Sequence, residues 1–117
     1  MDITDVADRL RAFAAERDWG RFHDPKNLAM ALAAEAGELL EVFQWKTTDE
    51  VRSGVGADEI AAASEELADV LIFLVRLADV LDVDLAEAVD TKIALNAERY
   101  PVDLAKGNAI KHDRRPP

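Results

Sequence analysis

Residues 65–81 read EELADVLIFLVRLADVL, and this stretch strongly constrains the fold. Its apolar residues recur every three to four positions, which is the period of an α-helix. Between residues 70 and 75 the segment is apolar nearly all the way round, which predicts burial on two sides of one helix. Because the chain is short, the second covering surface is expected from another subunit. We therefore predict a homo-oligomer.

Periodicity and capping signals predict three further main helices and no strand. Asp24 followed by Pro25 is typical of a helix start, with Asp as N-cap and Pro at the first helical position. Asp84 with Glu87 marks another start, and Pro101 stops that helix. We predict an all-α four-helix bundle over residues 1–105 and a polar, mobile tail over residues 106–117. The main helices are predicted over about residues 4–16, 25–45, 58–81 and 84–99, with a short helical turn near residues 47–50.

Composition limits the classes of function. The chain has 117 residues, half of them apolar, and a formal net charge of −10. It contains no run close to the roughly 20 apolar residues of a membrane span, and its start, MDITDVADRL, does not resemble a signal peptide. With no Cys it has neither disulfides nor a thiolate nucleophile. The acidic balance argues against binding a nucleic-acid polymer. We expect a cytoplasmic protein with no membrane or nucleic-acid partner.

Two acidic pairs interrupt apolar helical faces: Glu35 with Glu38, and Glu66 with Asp69. Residues three apart are separated by about 60° around a helix, so each pair directs two carboxylates to one spot. Glu41, in contrast, points away from the apolar stripe and is expected in solvent. The apolar residues predicted on the face of Glu35 are Leu28, Ala31, Leu32, Leu39 and Val42, and those near Glu66 are Val70, Phe73, Leu77 and Val80.

Inward carboxylates must be neutralised, because burying an unpaired charge is very costly. A hard divalent cation that prefers oxygen ligands achieves this. The alternative is that either pair is a charged helix edge with Arg76 or Lys92 as its partner. Two such pairs on separate apolar stripes favour the metal site.

Other residues suggest a ligand that carries phosphates and a planar ring. Aromatic side chains at the ends of a bundle can stack on a base, although Trp in such places often only packs. A basic stripe can hold phosphate oxygens, although it can equally pair with neighbouring acidic residues. The candidate substrate-binding residues are Trp19, His23, Lys26, Asn27, Trp45, Phe73, Lys92, Asn96 and Arg99.

Three ordered motifs resemble one known family. They are ERDWGRFHDPKNLAMALAAEAGELLEVFQWK at 16–46, EELADVLIFLVRLA at 65–78 and DTKIALNAERYP at 90–101. Together they resemble the MazG-like all-α nucleotide pyrophosphatases, and most closely the small dCTP pyrophosphatase branch, over about residues 3–101. The resemblance implies hydrolysis of a nucleoside triphosphate to the monophosphate and pyrophosphate, with dCTP or a modified dCTP as the preferred substrate. It also implies assembly as dimers or tetramers.

The resemblance assigns roles to matching residues. It implies that Glu35, Glu38, Glu66 and Asp69 bind Mg²⁺, and we expect Mn²⁺ to be able to substitute. From the chemistry of such a site we expect Glu35 or Glu38 to orient or deprotonate the attacking water. It places aromatic residues matching Trp19 and Trp45 around the base. The phosphate-binding helix is implied to carry Lys92 and Asn96.

The sequence departs from the animal dCTP enzymes at two positions near the base. Phe73 stands where they have Tyr, and Leu10 stands where they have His. Both changes remove a polar group, so we expect recognition to rest on stacking, with modest discrimination among pyrimidines.

Two other classes compete with this interpretation. A ferritin-like di-iron bundle needs a Glu-x-x-His motif on two helices, but the only His residues are His23 and His112. The other alternative is a helical nucleotide-binding or interaction module of the same fold without turnover. Such a module gains nothing from four inward carboxylates, which favours the enzyme.

Overall fold

The computed structural model describes residues 1–117, which form helices and turns with no strand. The helices are α1 (Ile3–Glu16), α2 (Pro25–Phe43), α3 (Thr48–Ser53), α4 (Ala57–Val80), α5 (Leu85–Arg99) and α6 (Val102–Ala105). Two 3₁₀ turns cover Gly20–Phe22 and His112–Arg114. The all-α prediction is confirmed, and no helix is both long enough and apolar enough to cross a membrane.

Most predicted helix ends lie within two residues of the observed ones. The second helix ends at Phe43 instead of Trp45, because the chain must turn before Thr47, whose hydroxyl caps α3 by accepting from the Glu50 N–H at 3.1 Å. The predicted caps at Asp24 and Asp84 accept from the N–H groups three residues later, at 2.8 and 3.1 Å. The short α6 was not predicted.

Residues Met1–Val83 form one compact unit, in which α4 packs against both α1 and α2. Leu28 on α2 and Val75 on α4 are only 1% exposed and anchor this packing. The remaining buried apolar residues are Ala14, Ala63 and Ala78. The core is therefore small, and Ile72 and Leu74 on α4 each remain 38% exposed.

Helices α1 and α4 end in the same way, at an Asp in the left-handed conformation. Asp18 has φ 53° and Asp82 has φ 56°. In each case the N–H of the following residue donates to a carbonyl of the preceding helix. Trp19 donates to the Ala14 carbonyl at 2.9 Å, and Val83 donates to the Ala78 carbonyl at 2.8 Å. This is the Schellman arrangement, in which Asp tolerates a position that Gly usually fills. At the end of α1 this arrangement turns the chain sharply and fixes the position of Trp19.

Residues Asp84–Pro117 form the second compact unit. Its C-terminal residues contact the end of α5: the His112 N–H donates to the Tyr100 hydroxyl at 3.3 Å, and Arg115 donates to the Arg99 carbonyl. The Arg115 guanidinium also lies 5.6 Å from the centre of the Tyr100 ring. The predicted domain limit at residue 105 stays a prediction.

Candidate metal centre and base pocket

Helices α2 and α4 bring carboxylates from both predicted acidic pairs together. One carboxylate oxygen from each of Glu35, Glu38 and Glu66 lies within 4.8 Å of the others. Glu35 and Glu66 are half-buried, while Glu38 is exposed and forms the solvent side of the cluster. The predicted inward face of α2 is observed, since Leu28 is buried and Glu41 is exposed.

Two oxygens of this cluster are buried without a hydrogen-bond partner, Glu35 Oε2 and Glu66 Oε2. The ion pairs of the chain involve other acidic residues, so no Lys or Arg neutralises the cluster. Unsatisfied buried acceptors of this kind are rare in folded proteins and require a physical explanation. A cation with oxygen ligands would satisfy both atoms, so the donor set fits Mg²⁺ or Mn²⁺.

The crowding of carboxylates changes their acidity. A proton shared with Glu38, together with partial burial and the surrounding negative charges, raises the pKa of Glu35 to about 7. Burial, followed by interaction with Glu38, also raises the pKa of Glu66. The charge of Asp69 contributes to both shifts, so this residue borders the cluster, one turn of α4 beyond Glu66. Like charges confined together therefore favour either a proton or a metal ion.

A second feature is a pocket between α1, α4 and the chain that follows α1, with a volume of about 280 Å³. Trp19 enters it directly after the Schellman turn, and its ring meets the Phe13 ring edge-on at 5.7 Å. The His23 ring lies 6.3 Å from Trp19, also edge-on. The pocket is lined by Leu10, Phe13, Trp19, His23, Ile72, Phe73 and Arg76.

Arg76 connects this pocket to a charged network. Its Nε donates to His23 Nδ1 at 3.0 Å, and its Nη1 donates to Asp79 Oδ2 at 3.0 Å. Asp79 also accepts from the guanidinium of Arg11, a contact that lowers the pKa of Asp79. Burial, and next the positive charge of Arg76, lower the pKa of His23. His23 is therefore a neutral acceptor at Nδ1 near pH 7.

Several predicted substrate-binding residues lie elsewhere. Trp45 is 87% exposed and does not line the pocket, although Lys46 beside it pairs with Glu59 at 2.7 Å. The Asn27 side chain donates to the Phe22 carbonyl at 3.1 Å, which shapes the entry to α2, and Lys26 is exposed.

In the second unit, Lys92 lines an open groove on α5. Asn96 is exposed, and Arg99 is half-buried at the end of the same helix. The residues that line the groove are Asp84, Glu87, Ala88, Thr91, Lys92 and Leu95.

Sequence reasoning missed Arg76 as a pocket residue. The signal was present, because Arg76 is a charged residue inside the apolar stretch of residues 70–78. The criterion that identified Glu35 and Glu66, a charge where the helical period expects an apolar residue, applies equally to a cation. Ile72 and Phe13 lack such a signal, because apolar residues at helical spacing are normally core.

Fold and cluster together define an all-α protein with a carboxylate centre between two packed helices. The MazG-like family model matches residues 30–113, and the chain belongs to the MazG-like family. It is also similar to dCTP pyrophosphatase 1 of Mus musculus and of Homo sapiens, with 52% identity over 110 residues in each case. These alignments cover 92% of this chain but 65% of each relative, so the chain spans a little under two thirds of their length.

A solved structure shows the same fold. The crystal structure of a pyrophosphatase from Archaeoglobus fulgidus superposes with a TM-score of 0.77 at 41% sequence identity. The match covers 84% of this chain and 91% of the archaeal one. The predicted resemblance to the MazG-like family is therefore confirmed by both sequence and structure.

Proposed function

We propose that this protein is a metal-dependent nucleoside triphosphate pyrophosphatase that converts dCTP, or a modified dCTP, to the monophosphate and pyrophosphate. The observation that carries the proposal is the cluster of Glu35, Glu38 and Glu66, with two buried and unpartnered carboxylate oxygens. The names of the relatives support the substrate class, since they are dCTP pyrophosphatases. The similar archaeal structure, a pyrophosphatase, supports the reaction.

The proposed metal ligands are Glu35, Glu38, Glu66 and Asp69, with Mg²⁺ as the ion and Mn²⁺ as a substitute. When bound, the ion would supply Lewis-acid activation of phosphate and water. In the proposed reaction, water attacks the α-phosphorus, and the bond to the bridging oxygen of the β-phosphate breaks, so that pyrophosphate leaves. Glu35 or Glu38 takes the proton of the attacking water.

The remaining chain residues are proposed to bind and orient the substrate. Lys92, Asn96 and Arg99 would hold phosphate oxygens, and the positive charges of Lys92 and Arg99 would balance the leaving pyrophosphate. Trp19 and Phe73 would stack on the base, and His23 would close that pocket; Trp45, Lys26 and Asn27 complete the proposed binding set.

We also propose assembly as a dimer or tetramer. The support is the small core of a single chain and the apolar side chains that α4 leaves exposed, including Leu67 at 55%. Because the proposed substrate is a free nucleotide, the proposed location is the cytoplasm. Multi-angle light scattering at micromolar concentration should give a mass of two or four chains, whereas a stable monomer would contradict the assembly.

The test of activity is pyrophosphate release by the purified protein. Wild type should release it from dCTP with Mg²⁺ or Mn²⁺ and should stop when EDTA is added. Glu35→Gln should be inactive, while Glu41→Gln, on the exposed side of the same helix, should keep wild-type activity. No release from any canonical or 5-modified dNTP would identify the protein as a non-catalytic module and overturn the proposal.

A further inference from the structure

Arg76 is the one cationic side chain that lines the pocket with Trp19 and Phe73. Its side chain is only 12% exposed, so most of the side chain is shielded from water. His23 and Asp79 hold it in place through the hydrogen bonds from Nε and Nη1. A guanidinium that is held at two points presents its remaining donors in a fixed direction.

The hydrogen bonds of Arg76 leave donors unused. Arg carries five N–H donors, of which two are bound here, so three remain, including both on Nη2. The other residues of the pocket are apolar or aromatic, apart from His23, and His23 already accepts from Arg76 Nε. The pocket therefore suits a planar ligand that presents hydrogen-bond acceptors along one edge.

Helix α4 sets Arg76 at a suitable distance from the carboxylates. Asp69 and Arg76 are seven residues apart, which is about 10 Å along a helix axis. This separation is comparable to that between the α-phosphate and the base of one nucleotide. Phe73 lies between them on the same helix and lines the same pocket.

We propose that Arg76 is the specificity-determining residue for the base and that it selects cytosine. This inference rests on the proposed function, because it takes the aromatic pocket as the base site. Cytosine presents two adjacent acceptors, N3 and O2, which the free N–H groups of Arg76 can bind together. Uracil and thymine carry a hydrogen on N3, which would face a donor of Arg76. A pocket with a buried polar group rejects a ligand that leaves that group unpaired.

This assignment changes the expectation of modest discrimination among pyrimidines. That expectation considered Phe73 and Leu10, where polar groups are lost, but not the polar group that Arg76 supplies from the next turn of α4. Bidentate contacts of arginine with a base give roughly 5- to 150-fold discrimination. We expect a preference for cytosine of at least about tenfold, within that range.

The test is isothermal titration calorimetry with dCMP, dUMP, dTMP and dGMP on the purified full chain. Monophosphates measure base recognition without turnover, so a failure of the hydrolytic function does not affect the result. Wild type should bind dCMP about tenfold or more tightly than dUMP and dTMP. Arg76→Met should lose this preference while still binding all pyrimidines by stacking. Arg11→Met is the matched control, since Arg11 contacts the same Asp79 but does not line the pocket.

A ligand change covers the case in which Arg76→Met does not fold. Replacing N3 of dCMP by C–H, as in the 3-deaza analogue, removes one acceptor and leaves the protein intact. Wild type should bind this analogue several-fold more weakly than dCMP. Equal binding of dCMP and its 3-deaza analogue, a cytosine preference that survives in folded Arg76→Met, or a preference for dGMP would each overturn the proposal.

Discussion

Lowering the pH from 8 to 6 should weaken Mg²⁺ binding about tenfold, because the metal and a proton compete for Glu35. With a pKa of about 7, this carboxyl is about nine-tenths ionised at pH 8 and one-tenth ionised at pH 6. At pH 7 it is half protonated, so metal binding should release about half a proton from this group. Above pH 8 Glu35 is almost fully ionised, so its titration should change the metal affinity little.

The same shift affects the metal-free protein in the opposite direction. The pKa of Glu35 is raised in the folded state from an ordinary value of 4.5. Its contribution to stability is therefore fully present below pH 4.5 and is lost as the pH rises through about 7. The melting temperature without metal should fall over this range, and Mg²⁺ should raise it more at pH 8 than at pH 6.

Calorimetric titration of Mn²⁺ and Mg²⁺ in buffers of different ionisation enthalpy measures both affinity and proton release. Glu35→Gln should weaken binding and flatten its pH dependence, whereas Glu41→Gln should reproduce the wild-type profile. Metal affinity that is constant from pH 6 to 8, with no proton released, would show that Glu35 is not part of the binding site.

Three further predictions concern single side chains. Glu38→Ala and Asp69→Ala should each abolish pyrophosphate release while circular dichroism shows an intact fold, because each removes a metal ligand and relieves repulsion; full turnover by either variant would contradict the metal assignment. Trp45→Ala should raise KM more than it lowers kcat, since stacking stabilises ground and transition states alike. If steady-state kinetics gave an unchanged KM, Trp45 would not belong to the base site. Asp79→Ala should lower the free energy of unfolding by about 1.5–3 kcal/mol in urea titrations, because it leaves the largely buried Arg76 without its carboxylate partner. A decrease smaller than the measurement error would show that the ion pair makes no net contribution to stability.

The sequence was sufficient to predict the carboxylate centre because its residues violate a local rule. Glu35 and Glu66 occupy positions where the helical period demands apolar residues, and this conflict is visible without coordinates. Two helix starts could also be predicted from the sequence, since Asp24 and Asp84 are strong N-caps. Both kinds of signal depend on residues close together in the sequence.

The aromatic pocket could not be derived in the same way. Trp19 and Phe73 line the same pocket because α1 is followed by a left-handed Asp and because α1 packs on α4, and neither feature has a local signature in the sequence. The hydrogen bond between Arg76 and His23 joins residues 53 positions apart. Trp45 looked equivalent to Trp19 in the sequence, but it follows the end of α2 and remains exposed in the single chain.

The uninterrupted course of α4 bears on how a substrate preference can change during evolution. Glu66 and Asp69 occupy one turn, and Phe73 and Arg76 lie on later turns of the same helix. A substitution at Phe73 or Arg76 exchanges a group that lines the aromatic pocket without altering the spacing of the carboxylates. An insertion of one residue between positions 69 and 73 would instead rotate everything beyond it by about 100°. New base preferences should therefore arise by point substitution, while the length of this helical segment stays fixed.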